Sequence, residues 1–121
     1  MPPSPRFEKL ANDCKQRIQE VTAVEACQRQ AEGALLIDVR EAEEFANGHA
    51  ANAIGLSKGM IEVKIEQRVP DITTPIICYC GGGNRSALAA DSLQRMGYTN
   101  VASMEGGFKS WKDRGLSVET G

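Results

Sequence analysis

Two short apolar runs, Leu35-Leu36-Ile37-Asp38-Val39 and Ile76-Ile77-Cys78-Tyr79, constrain the fold more than any other feature of the chain. Both are continuous rather than alternating, the pattern of strands buried on both faces of a parallel sheet. Each passes at once into charged or glycine-rich residues and then into a helix-like segment. A parallel neighbour needs a crossover, usually helical, so strands and helices are expected to alternate around one mainly parallel sheet covered on both faces. With aromatic residues at only 5% of the chain, Ile, Val, Leu, Met and Ala must fill the layers between.

The remaining segments fit that scheme. Ser4-Pro5 reads as an N-cap with proline at the first helical position, and Phe7, Leu10, Ala11 and Cys14 recur on one helical face. Ile18–Val21 is a strand candidate. Thr22 and Glu25 have capping-box spacing for a helix to about Ala31, closed by Gly33. Glu41 to Ala46 predicts a short acidic helix stopped near Gly48, and Ala53–Leu56 a third strand. Met60 to Arg68 fits either period; helix is preferred. Val69 to Pro75 is a loop. A helix is expected from about Ser86 to Met96, then a strand at Val101–Met104 and a last short helix holding Phe108 and Trp111. At 121 residues this is one domain, read as an N-terminal helical extension (1–17) and a sheet domain (18–119).

Composition excludes several functions. A net charge of −2 gives no electrostatic basis for binding nucleic acid or an anionic membrane. No apolar run approaches the roughly 18 residues of a membrane span. Met1-Pro2-Pro3-Ser4-Pro5-Arg6 has no apolar core behind it and does not read as a secretory signal, although a removed organelle transit peptide remains compatible. The four cysteines form no disulfide framework, so a reducing, cytoplasmic setting is expected.

The chemistry concentrates at Cys80-Gly81-Gly82-Gly83-Asn84-Arg85-Ser86. Strand, glycine-rich loop and helix start together point backbone N–H groups and a helix N-terminus at one small anion. Here the cysteine sulfur lies where that anion would sit, and such a cup favours the thiolate, the nucleophilic form. Competing readings are weaker. Cys78 and Cys80 lack the further ligands of a zinc site, since His49 is the only histidine. No lysine follows the glycines, so this is not a phosphate-binding P-loop. An inert buried cysteine in a glycine turn does not account for strand, glycines, arginine and helix start in register.

These residues resemble the single-domain rhodanese (thiosulfate sulfurtransferase) family. Cys80-x-x-Gly83-x-Arg85-Ser86 looks like its active-site loop. Asp38-Val39-Arg40 with Glu44-Phe45 and Gly48-His49 resembles an N-terminal signature, and Glu105-Gly106-Gly107-Phe108-x-x-Trp111 a C-terminal one. The resemblance runs from about Ile18 to Val118. It implies a rhodanese-like three-layer α/β fold with a five-stranded, mainly parallel central sheet. The chain departs from the family after His49, where Ala50-Ala51-Asn52 replace the usual aliphatic residue, proline and glycine; Asn tolerates a left-handed backbone, so the turn should survive. Four residues separate Cys80 from Arg85. The five-residue spacing of tyrosine phosphatases wraps a phosphate, whereas the shorter loop resembles the sulfurtransferase version that fits one sulfur.

The resemblance therefore implies transfer of sulfane sulfur from thiosulfate or a persulfide to cyanide or a thiol through a Cys80 persulfide, without metal or cofactor. Gly81, Gly82, Gly83, Asn84, Arg85 and Ser86 would bind substrate, with Arg85 gripping the sulfonate and Ser86 capping the helix. Asp38 and Arg40 would brace the loop, against the alternative of a surface pairing of Arg40 with Glu43 or Glu44. His49, Phe108 and Trp111 would be structural, and Lys58 a solvated lysine. The expected state is a monomer, with a thioredoxin-like or sulfur-carrier protein as candidate partner. The alternatives are a non-catalytic sulfur-carrier or binding module and, behind it, a cysteine phosphatase or arsenate reductase.

Overall fold

A computed structural model describes residues 3–121, so Met1 and Pro2 of the 1–17 extension lie outside the described residues. Helix α1 (Pro5–Lys15) leads into strand β1 (Gln19–Val21) and helix α2 (Ala23–Ala31). The capping box closes in both directions: Glu25 N–H donates to Thr22 Oγ1 and Thr22 N–H to Glu25 Oε1, each at 3.1 Å. Then come β2 (Leu35–Asp38), α3 (Ala42–Asn47), β3 (His49–Ala50), β4 (Ile54–Gly55) and α4 (Lys58–Arg68). The chain ends with β5 (Ile76–Tyr79), α5 (Asn84–Arg95), β6 (Val101–Met104), α6 (Gly107–Asp113) and β7 (Val118–Glu119).

The central sheet has five strands in the order β1-β6-β5-β2-β4, all pairs parallel. Helices cover both faces, the rhodanese-like arrangement expected. Strand β5 shows why its run had to be apolar throughout. Ile76 and Cys78 face a core with Ile61 and Ile65 of α4 and Ala89 and Leu93 of α5. Ile77 and Tyr79 face the opposite core, with Ala26 of α2 and Phe108 and Trp111 of α6. The ambiguous segment is helical: Ile61 and Ile65 are buried while Val63 is 72% exposed, which an alternating strand would have buried.

Two features depart from the sequence reading. Strands β3 and β7 pair antiparallel in a small second sheet that no periodicity announced, being two residues each. Leu10, placed on the buried face of α1, is 52% exposed, while Ala11 and Cys14 are buried. Helix α1 packs against α5, and the residues it buries are the small Ala11 and Cys14. The departure from the family pattern also has its structure: Asn52 takes φ +65° and carries the turn.

The polar anchor of α1 is Asp91 on α5, whose carboxylate receives Arg17 Nε at 3.1 Å and Nη2 at 3.0 Å and the Cys14 thiol at 3.6 Å; Arg95 Nη2 lies 3.5 Å away. The Arg17 guanidinium holds the Asp91 carboxyl below the usual carboxylate range, against the opposing effect of burial. Stabilisation from a depressed carboxylate is complete above its unfolded pKa and is lost as pH falls through the folded one. Asp91→Asn is therefore expected to lower the melting temperature at neutral pH, with the gap to wild type closing in acid. A gap that stays constant in acid would make the anchor one of packing.

Candidate active site

Strand β5 lies in the middle of the sheet, and its carboxyl end is where ligands of open parallel sheets collect. Cys80 follows at that end, 1% exposed. Gly83, at φ +108°, turns the chain directly into α5, a conformation open to glycine and strained for other residues. Its N–H donates to Cys80 Sγ at 3.1 Å. Gly81 and Gly82 do not take the left-handed conformation, so of the three glycines only Gly83 is required by the backbone.

The turn at Gly83 starts α5 at Asn84, two residues before the sequence expectation. Ser86 is therefore not the cap but the third helical residue, fully buried, with Oγ 3.5 Å from Cys80 Sγ and 2.8 Å from Ser103 Oγ of β6. Against a thiol this hydroxyl accepts; against a thiolate it donates, with Ser103 able to supply the compensating bond. Ser103 was not singled out from sequence, because a small polar residue inside an apolar strand carries no motif.

The loop is held from behind by α6. Phe108 N–H donates to the Cys80 carbonyl at 2.7 Å and Lys109 N–H to that of Gly81 at 3.3 Å. Gly107, at φ +53°, makes this approach possible: a Cβ there would lie 2.3 Å from the Cys80 carbonyl oxygen and 2.7 Å from the Gly81 carbonyl carbon. The C-terminal signature thus serves the cysteine loop directly, a role the sequence reading did not give it.

Arg85 is engaged. Its Nη1 and Nη2 donate to Glu44 Oε1 and Oε2 at 2.9 and 3.2 Å, a bidentate pair. The Arg85 bonds hold the Glu44 carboxyl below its usual range. Glu44 Oε1 also accepts the Glu41 N–H at 3.1 Å and so closes the first turn of α3. Asn84 Oδ1 accepts from Lys15 Nζ at 3.0 Å, while Gly82 is exposed beside them.

Asp38 and Arg40 form a buried pair. Arg40 Nε and Nη2 reach the carboxylate at 3.0 and 2.7 Å, and Arg40 Nη2 donates to the Gly48 carbonyl at 2.6 Å. These bonds go to the segment before β3 rather than to the cysteine loop, and Arg40 pairs with neither Glu43 nor Glu44. The link to the loop is indirect: the guanidinium lies 4.5 Å over the Phe108 ring, and Phe108 holds the Cys80 carbonyl. Tyr79 joins the group, its hydroxyl accepting the Ala50 N–H at 3.0 Å while burial and then Asp38 push its phenol well up. His49 is buried, stacked on Phe45 with Nδ1 2.8 Å from the Phe45 carbonyl oxygen. Burial pushes the Cys78 thiol up to about 12, which disfavours its nucleophilic thiolate. Among the described residues no group of three or more His, Cys, Asp or Glu side chains is placed to hold a metal ion.

Residues 22–114 match the rhodanese-like domain family. A thiosulfate sulfurtransferase from Pseudomonas aeruginosa superposes with a TM-score of 0.78 at 31% identity, over 85% of this chain and 20% of that one. A rhodanese with anions from E. coli gives 0.64 at 32%, over 73% of this chain and 99% of that one. A protein of unknown function from Rhodopseudomonas palustris CGA009, described as a possible tyrosine phosphatase, gives 0.81 at 28%, over 98% and 99% of the two chains.

The contrast between glycines is testable. Gly107→Ala should cost about 2 kcal/mol or more, from the left-handed strain and the backbone collision together, and should slow reaction at Cys80. Gly82→Ala, where an added Cβ meets nothing within 4 Å, should leave the denaturation midpoint unchanged. Equal denaturation midpoints for the two variants would remove Gly107 from its assigned role.

Proposed function

The chain belongs to the rhodanese-like domain family, and on that premise we propose that it is a sulfurtransferase using Cys80 as nucleophile. The observation that carries the proposal is the setting of Sγ: 3.1 Å from the Gly83 N–H, 3.5 Å from the Ser86 hydroxyl, at the N-terminus of a twelve-residue helix. These groups favour negative charge on the sulfur before and after transfer. The Cys80 thiolate attacks the outer sulfur of thiosulfate; the S–S bond breaks, sulfite leaves with the electron pair, and Cys80 becomes a persulfide. Attack by cyanide or a thiolate on the terminal sulfur then returns the Cys80 thiolate and gives thiocyanate or a new persulfide. No redox partner is needed, since the donor's sulfane sulfur is passed on at the same oxidation level. The site asks for no metal or organic cofactor.

Arg85 supplies the donor subsite. Glu44 takes two of its five N–H donors, leaving the others for the sulfonate. Because the Arg85 side chain is 36% exposed, Arg85→Ala should lower kcat/KM for thiosulfate by about fivefold to tenfold, nearer the value of a solvated contact than of a buried one. A low-molecular-weight persulfide should lose less; equal losses would give Arg85 a role in holding the loop.

The Rhodopseudomonas relative motivates a second assay. With four residues between Cys80 and Arg85 the loop is short for a tetrahedral phosphate, so an aryl phosphate should not be hydrolysed above background. Intact mass after thiosulfate should show one added sulfur, removed by cyanide as thiocyanate. Cys80→Ser should abolish this and keep the fold, while Cys78→Ala should keep most of the activity. Phosphate-ester turnover without thiocyanate would move the protein to the phosphatase branch.

A further inference from the structure

The family match begins at residue 22, yet residues before it build part of the cysteine pocket. A cavity of about 280 Å³ over the loop is bounded by Pro3 and Phe7 on one side and by Cys80, Gly82, Asn84 and Arg85 on the other. Since Cys80 is 1% exposed, access to its sulfur depends on what borders that cavity. Phe7, on the first turns of α1, is the one bulky apolar side chain there among the described residues.

Helix α1 is held unevenly. Among the described residues, its side-chain bonds to the rest of the chain arise from its C-terminal end and the residues just after it: Cys14 and Arg17 on Asp91, Lys15 on Asn84. Gln94 Nε2 adds a bond to the Arg17 carbonyl at 2.9 Å. The N-terminal half has none of these; Ser4 makes no cap bond, and Phe7 is the one partly buried residue among exposed neighbours from Pro3 to Leu10. Phe7 lies eight residues from Lys15, roughly 12 Å along the helix. The pocket wall is thus the loosely held end of a helix clamped at its other end.

We infer that Phe7 is a specificity-determining residue that filters the pocket by size. With α1 docked, thiosulfate, cyanide and slim alkyl thiols pass, and bulky thiols and surface cysteines of folded proteins are turned away. A protein acceptor, such as a thioredoxin-like or sulfur-carrier partner, reaches Cys80 only when the N-terminal half of α1 swings out about its clamp. The kinetic side of this inference rests on the sulfur-transfer reading; the steric side does not.

The test is alkylation of the full-length protein by iodoacetamide and by fluorescein maleimide, with modification at Cys80 quantified by peptide mass spectrometry so that Cys14, Cys27 and Cys78 do not contribute. Phe7→Ala is expected to raise the ratio of bulky to small reagent rates by about tenfold, and Phe7→Trp to lower it, with melting temperatures followed to show that α1 stays docked. In parallel, the ratio of kcat/KM for a bulky thiol acceptor to that for cyanide should move the same way. Unchanged alkylation ratios in both variants overturn the filter, whether or not sulfur is transferred. A shifted alkylation ratio in a protein that forms no thiocyanate keeps the filter and overturns the sulfur-transfer reading instead.

Discussion

The hydrogen bonds from the first turn of α6 to the carbonyls of Cys80 and Gly81 decide which way the cysteine loop faces. A peptide unit is planar, so a carbonyl held toward α6 sends the N–H of the following residue the other way. The loop therefore turns the carbonyls of Cys80 and Gly81 toward α6, which satisfies them, and the Gly83 N–H meets the sulfur one peptide further on. Directly after these two anchored carbonyls come the Gly83 turn, the start of α5 at Asn84 and Ser86 with its hydroxyl against the cysteine sulfur.

The buried Asp38–Arg40 pair performs a matching task one strand away. Two charges withdrawn from water are tolerated only when their remaining hydrogen-bonding capacity is used. Here the carboxylate takes the Arg40 backbone N–H as well as the guanidinium, and the guanidinium takes the Gly48 carbonyl. Such a pair adds little net stability but has one geometry that works. It ties the end of β2 to the segment entering β3, and its flat face carries Phe108. The two signatures at opposite ends of the domain are thereby parts of one support.

What could be read from the sequence was local. Thr22 and Glu25 announce a helix start because both halves of the box lie within one turn. The place of Cys80 follows from the apolar run before it and the glycines after it. Residues whose meaning lies in a distant partner stayed hidden. Glu44 gave no sign of holding Arg85, 41 positions away, and Ser103 none of backing Ser86. Gly107 signalled a turn, but its need to be glycine comes from the Cys80 carbonyl across the fold. Leu10 was misjudged because helical period gives a face and not its width; α1 packs mainly on α5, and a narrow contact leaves the margin wet.

Cys78 of β5 stands two residues before Cys80 and shares its core cluster, an arrangement that invites comparison with paired redox cysteines. The resemblance ends at its surroundings. A thiol must ionise to attack a disulfide or persulfide sulfur, and burial disfavours that ionisation at Cys78. Burial therefore makes Cys78 a poor partner for an internal disulfide with Cys80. The strand that presents Cys80 thus sets beside it a second cysteine that burial keeps in the thiol form.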